Sequence, residues 1–320
     1  VLHLLLLLGS AGAIYVASEQ FVNAIEHLGR HLNVGTLAVG TVLAAIGTAL
    51  PESVVTGIAV TDGHREQLGV GAAMGGPLAL ATIGYGVIGL SLLARRRTLG
   101  HLDTARLGRD QRWFLLLFAA NVTLGLVAFS FKPALGLVLF AAYVGYVVVE
   151  LRAEGTVEDE FDLEPLTLTR SSKPGLAPVL VQTLAMLVVV FVASQVFVSQ
   201  LEWAGPQLGL SSAVVALLLA PVATELPEVM NALIWVRQGK YQLALSNMSG
   251  SMMVQATIPS GLALLFTSWD FDGPLLLSGC VTGAAIAFLL VGLHTERLTG
   301  RWLAGAAGFY LVFAALLPVV

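Results

Sequence analysis

Residues 17–52 recur, at a constant offset of 176 and without a gap, as residues 193–228. Identities between the copies include Ala17, Ser18, Phe21, Val22, Glu26, Gly29, Leu32, Leu43, Ala44, Thr48, Leu50, Pro51 and Glu52. The rest of the chain determines what this repeat means. It is 57% hydrophobic and only 11% charged, with a mean hydropathy of +0.85, whereas a soluble domain carries about 25% charged residues. This excludes a soluble globular protein. Apolar runs long enough to cross a hydrocarbon core of about 30 Å occur ten times, near 1–22, 34–60, 68–93, 113–130, 133–149, 177–199, 211–236, 241–266, 274–293 and 302–320. Five spans separate the two copies, and because five is odd the second copy crosses in the opposite sense. Inverted repeats whose interrupted helices meet at mid-membrane are the architecture of secondary transporters. The fold expected is therefore an all-α polytopic membrane protein, with ten transmembrane helices arranged as two inverted five-helix repeats. The first repeat is assigned to 1–150, a cytoplasmic linker to 151–175 and the second repeat to 176–320.

Orientation follows from the basic residues, which stay on the cytoplasmic side of short loops. Arg95, Arg96, Arg97, Arg106, Arg109 and Arg112 all fall between the third and fourth spans, which places that loop inside. Alternation then leaves only Arg65 and Lys132 outside, with both termini extracytoplasmic in a plasma membrane. The opening leucine run is read as the first span and not as a cleaved leader, because the repeat needs that helix. Glu150, Glu154, Glu158, Asp159, Glu160, Asp162 and Glu164 make the linker acidic and loosely ordered. Cys280 is the single cysteine; it is read as a small buried apolar residue, which rules out an internal disulfide and a thiolate metal site. His27 and His31 lack the order of a zinc peptidase motif and are placed in a loop at the membrane surface. Nothing in the charge pattern indicates nucleic acid, and no obligatory protein partner is evident beyond the lipid bilayer.

The repeat ends in Gly47-Thr48-Ala49-Leu50-Pro51-Glu52, echoed by Ala223-Thr224-Glu225-Leu226-Pro227-Glu228. A proline inside a helix removes a donor and frees a carbonyl oxygen one turn back. At hydrocarbon depth such an oxygen is tolerated only where protein, water or an ion meets it. Thr48 and Glu52 are four apart and share a face, as do Thr224 and Glu228; Glu225 adds a third acid. An ionised carboxylate at the bilayer centre costs about 2.5–3.5 kcal/mol, and no Lys or Arg falls at that depth. Protons or bound cations remain as partners. Several carboxylates with only oxygen donors suit a hard cation such as calcium, and the lack of Cys and His there argues against zinc or copper. In the eighth span Ser246, Asn247, Ser249, Ser251 and Gln255 are read as completing a coordination shell. The matching third-span segment from Gly71 to Leu80 offers small residues for close packing but no side-chain oxygen.

These residues resemble the cation/calcium exchanger superfamily, and within it the prokaryotic sodium/calcium exchanger membrane proteins. The likeness spans essentially the whole chain. It rests on Ala-Ile-Gly-Thr-Ala-Leu-Pro-Glu at 45–52, Thr-Glu-Leu-Pro-Glu at 224–228 and Ser-Asn-Met-Ser-Gly-Ser at 246–251. The resemblance implies that Glu52 and Glu228 bind calcium, that Thr48 and Thr224 help form flanking ion sites, and that Asn247 and Ser251 complete them. It also implies alternating access by sliding of the first and sixth spans across a fixed core. Family members usually carry serine where Ala49 and Glu225 stand, and polar residues near Ala72, Gly76 and Leu80; Gln255 replaces an acid or amide.

The expectation is a secondary antiporter, not an enzyme, exchanging calcium or a related divalent cation for sodium or protons without a cofactor. Its cation ligands would be Glu52, Glu228, Thr48, Thr224, Glu225, Asn247, Ser251, Gln255 and Ser246. The alternatives are a proton-only calcium exchanger and, more remotely, a passive cation channel or an intramembrane enzyme. A nucleotide-driven pump is disfavoured because there is no Walker-type phosphate loop.

Overall fold

The computed structural model describes residues 2–61, 66–100, 102–152, 163–207 and 218–319. Arg65, linker residues Glu154 to Asp162 and the 211–217 part of the seventh apolar run lie outside the described residues. Within them the chain forms ten helical rods and no strand, apart from one isolated bridge between Leu166 and Ser171. The first rod is α1 (Leu2–His31). The second begins as α2 (Thr36–Ala38), passes through a π-helical stretch at Val39–Ala44 and continues as α3 (Ala45–Thr61). The third joins α4 (Glu66–Ala79) to α5 (Tyr85–Ala94) through a second π stretch at Leu80–Gly84. Then come α6 (Thr104–Gly125), α7 (Leu135–Arg152) and α8 (Leu176–Gln207). The seventh rod is split into α9 (Ala220–Thr224) and α10 (Leu226–Gln238), and α11 (Tyr241–Phe266), α12 (Gly273–His294) and α13 (Gly300–Leu316) complete the bundle.

Six helices among the described residues are long and apolar enough to cross a membrane, or seven if Val39–Ala49 and Glu52–Thr61, bent by 47°, count as one span. Of the remaining rods, α6 carries Arg106, Arg109, Asp110 and Arg112 in its first turns, the seventh is interrupted, and α11 is studded with Ser, Asn and Gln. Those three, with the bent second rod that bears Thr48 and Glu52, carry the polar residues of the site and its surroundings. Every residue of α11 from Leu243 to Thr257 is buried, and it is surrounded by α3, α4, α6, α7 and α10. By contrast Leu184, Val188 and Val192 on α8 and Leu311 on α13 face outward, as expected where the solvent is lipid.

α1 and α8 pack along each other and run antiparallel, for His3 stacks on Trp203 at one end while Gln182 Nε2 donates to the Gln20 carbonyl nearer the other. At the central crossing Gly250 of α11 meets the Thr41 carbonyl of the π stretch so closely that a β-carbon would collide with that backbone. Only glycine serves at such an approach.

Several expectations are corrected. α1 does not stop at Val22 but runs to His31, because its polar end is covered: His27 Nε2 bonds the Glu164 carbonyl at 3.0 Å and His31 Nε2 bonds that of Pro174 at 2.9 Å. Both histidines are helical and hold the segment leading into α8. Cys280 is exposed on α12, with no core role. Glu150 is not a linker acid. It is wholly buried at the end of α7, where it accepts Arg106 Nη2 at 2.8 Å, Thr41 Oγ1 at 3.3 Å and a bond from Arg109. Arg106 and Arg109, expected in a loop, lie in the first turns of α6. Lys132 is buried too, donating to the Val127 carbonyl and to Asp270 at 3.1 Å.

Candidate cation site

The two motifs break their helices differently. In the first copy the chain stays helical through Pro51 and bends by 47° between Ala49 and Glu52. In the second copy the helix stops: Glu225 separates α9 from α10, and Pro227 falls in the first turn of α10, where a missing N–H costs little. The threonine hydroxyls turn back onto their own helices. Thr48 Oγ1 donates to the Ala44 carbonyl at 3.1 Å and Thr224 Oγ1 to the Pro221 carbonyl at 3.0 Å, which leaves their lone pairs free to accept or coordinate.

These breaks bring the acids of both repeats together. One carboxylate oxygen from each of Glu52, Glu225 and Glu228 lies within 4.8 Å of the others. Glu225 and Glu228 are buried, and Glu52 is partly so. Neither oxygen of Glu228 nor Oε1 of Glu52 has a hydrogen-bond partner among the described residues. Glu225 and Glu52 share one polar neighbour, Gln255, whose Nε2 donates to Glu225 at 2.7 and 2.8 Å and to Glu52 at 3.1 Å. Three like charges this close repel strongly at low dielectric, so a buried cluster of this kind calls for a cation or protons.

The other expected ligands divide. Thr48 and Thr224 line a cavity of about 90 Å³ together with Glu52 and Gln255. Asn247 Nδ2 donates to the Glu228 carbonyl at 3.3 Å, while its Oδ1 and the buried Ser251 Oγ are unpartnered among the described residues. Ser246 packs instead against Gly40, and nothing in the structure ties it to the acids. Ser249 turns away to Tyr85 and Gln111.

Two features escaped sequence reasoning. A β-carbon on Gly76 would stand 2.6 Å from Glu225 Oε1 and 3.0 Å from the Gln255 amide. The third-span glycine thus forms the hollow that houses the third acid, and the small residues there do more than let helices approach. Asn231 is fully buried, and both its amide atoms lack partners among the described residues. It stands three residues after Glu228 on α10 and so shares its face, a spacing visible in the sequence.

The model of the sodium/calcium exchanger protein family matches residues 2–152 and 178–316. The chain belongs to this family. As a sodium/calcium exchanger family member it is a secondary cation antiporter, a transporter and not an enzyme. Among curated relatives, the inner membrane protein YrbG of Escherichia coli (strain K12) is 26% identical over 322 residues, covering 98% of this chain and 95% of the relative. Cation/calcium exchanger 2 of Arabidopsis thaliana is 31% identical over 160 residues, 48% of this chain and 27% of that protein. A solved structure of the sodium-calcium exchanger NCX_Mj, soaked with 10 mM Na+ and zero Ca2+, matches with a TM-score of 0.78 at 22% identity over 99% of each chain. That likeness shows a common fold, the inverted ten-helix bundle of exchanger proteins.

Proposed function

We propose that this exchanger family member moves calcium, or a related divalent cation, against sodium or protons, with Glu52 and Glu228 holding the divalent ion. The observation that carries this reading is the convergence of Glu52, Glu225 and Glu228 within 4.8 Å, with no ion-pair partner for any of them among the described residues. A hard divalent ion takes about six to eight oxygens. Thr48, Thr224, Asn247, Ser251 and the unpartnered Oε1 of Gln255 supply candidate oxygens beside the carboxylates, and Gln255 Nε2 positions Glu52 and Glu225. Ser246 acts at most through the packing of α11. Transport then alternates charge neutralisation: the divalent ion balances two carboxylates and leaves when monovalent cations replace it. A proton-only exchange is the second reading. It is favoured by Glu225, a buried third acid within 4.8 Å of Glu52 and Glu228 and able to carry a proton.

In this reading the repeats run over 1–150 and 176–320 and are joined by a cytoplasmic linker at 151–175. The protein lies in the plasma membrane with both termini outside, and it works without a cofactor or an obligatory protein partner. The test is calcium flux into inverted vesicles under imposed sodium or proton gradients. Glu52→Gln combined with Glu228→Gln is expected to abolish gradient-driven flux while the protein still inserts. Undiminished flux in that double variant refutes the site.

A further inference from the structure

The cavity beside Glu52 runs along α3 past Thr56 and along α8 past Ser194, Gln195 and Val198, toward the end of the molecule where His3 meets Trp203. The repeat offset of 176 carries this lining to a second set: Glu228, Ala232, Ser18, Glu19 and Val22. These lie on α10 and α1 and lead the opposite way, toward Arg237. In the structure this second set is shut, with Ser18, Val22 and Ala232 fully buried. Its interior is nevertheless polar. Ser18 Oγ, both Glu228 oxygens and both amide atoms of Asn231 have no hydrogen-bond partner among the described residues. Buried polar groups are rarely left unpaired, because each costs about 1–3 kcal/mol; Ser194 Oγ, the repeat partner of Ser18 beside the first cavity, is unpartnered in the same way, so both sets have polar linings.

What closes the route is ionic. Arg237, in the last turn of α10, donates to Glu19 at 2.5 Å and to the Tyr15 hydroxyl, with its guanidinium 6.0 Å from the Tyr15 ring centre. Three residues on, Lys240 donates to both oxygens of Glu26 at 2.6 Å, and Trp235 Nε1 donates to the same carboxylate at 2.8 Å. The end of α1 is thereby fastened to the end of α10. The offset carries Arg237 to Thr61, Lys240 to His64, Glu19 to Gln195 and Glu26 to Glu202, so the Arg237–Glu19 pair has no charged counterpart in the sequence of the other half.

We propose that the Arg237–Glu19 and Lys240–Glu26 pairs are a lock that holds shut the path past Ser18, Glu228 and Asn231 to the carboxylate cluster. The proposal rests on the reading of that cluster as the ion site.

The test uses single cysteines, Ser18→Cys or Gln195→Cys, in a Cys280→Ser background, labelled in membrane vesicles with a membrane-impermeant thiol reagent from either side. With the lock intact, position 195, which is exposed and lines the cavity, reacts from the His3 end and position 18 is protected from both sides. Adding Arg237→Gln and Lys240→Gln is expected to raise labelling of position 18 from the Arg237 side about tenfold and to slow position 195. Unchanged labelling at both positions overturns the proposal. To separate loss of the lock from loss of folding, the charge-exchanged pair Glu19→Arg with Arg237→Glu is made in parallel. It is expected to restore protection at position 18, and a folded exchanged pair that leaves 18 reactive also overturns the lock. Labelling does not require transport. Lock-dependent labelling in a protein whose flux survives Glu52→Gln with Glu228→Gln would sink the ion-site reading alone.

Discussion

Substituting Gly76 by alanine puts the hollow behind Glu225 to a direct test. The added methyl would stand 2.6 Å from Glu225 Oε1 and 3.0 Å from the Gln255 amide, well inside the roughly 3.5 Å at which non-bonded heavy atoms rest. The acid must therefore retreat by most of an ångström. A carboxylate at the end of a flexible stem can move that far, but here only by stretching the 2.7 and 2.8 Å bonds from Gln255. Hydrogen bonds to a charged group contribute about 1.5–3 kcal/mol, a factor of about 10–150 in an equilibrium constant. Gly76→Ala should accordingly raise the half-saturating calcium concentration in vesicle flux by at least about tenfold, with normal expression. Gly71→Ala on the same helix is the control, since a β-carbon there meets nothing within 4 Å. The decisive comparison is a double-mutant cycle with Glu225→Ala, which removes the colliding group. If Gly76→Ala is as harmful without the Glu225 carboxylate as with it, the hollow is a packing feature and the reasoning fails.

Two further outcomes concern stability. Glu150→Gln removes the charge that balances buried Arg106, while the half-buried Arg109 keeps Asp110; an unpaired buried charge costs about 3–5 kcal/mol, so the thermal midpoint in detergent should fall by several degrees, and an unchanged midpoint would show the cluster to be dispensable. Gly250→Ala drives a methyl into the Thr41 backbone, which cannot rotate away; overpacking of this kind costs about 1–3 kcal/mol, visible as loss of the monodisperse peak, whereas Gly145→Ala, open on all sides, should behave as the unmodified protein.

How much of this was legible in the chain depended on whether the signal was local. A proline beside a glutamate in an apolar run is local, and the repeat at 176 doubles it, so Glu52, Glu225 and Glu228 could be placed together before any coordinates. The role of Gly76 could not be read that way. Its meaning is the shape of space facing another helix, and a glycine among small residues reads as packing. Glu150 was misassigned for a related reason: it borders an acidic stretch, and only the arrival of Arg106 and Arg109 from α6 shows that it is buried and paired. His27 and His31 were placed in a loop because hydropathy ends at Val22, while α1 is carried on by contacts from 141 and 143 positions away, at Asn23 to Glu164 and His31 to Pro174. Cys280 looked buried because an apolar run does not say which of its faces meets lipid.

Where Gly250 lies against the Thr41 carbonyl, two main chains touch with no side chain between them to compress or rotate. Side-chain layers give a joint its play, and this joint has none. The crossing is a rigid joint: α11 and the π stretch can shift only together, as one body.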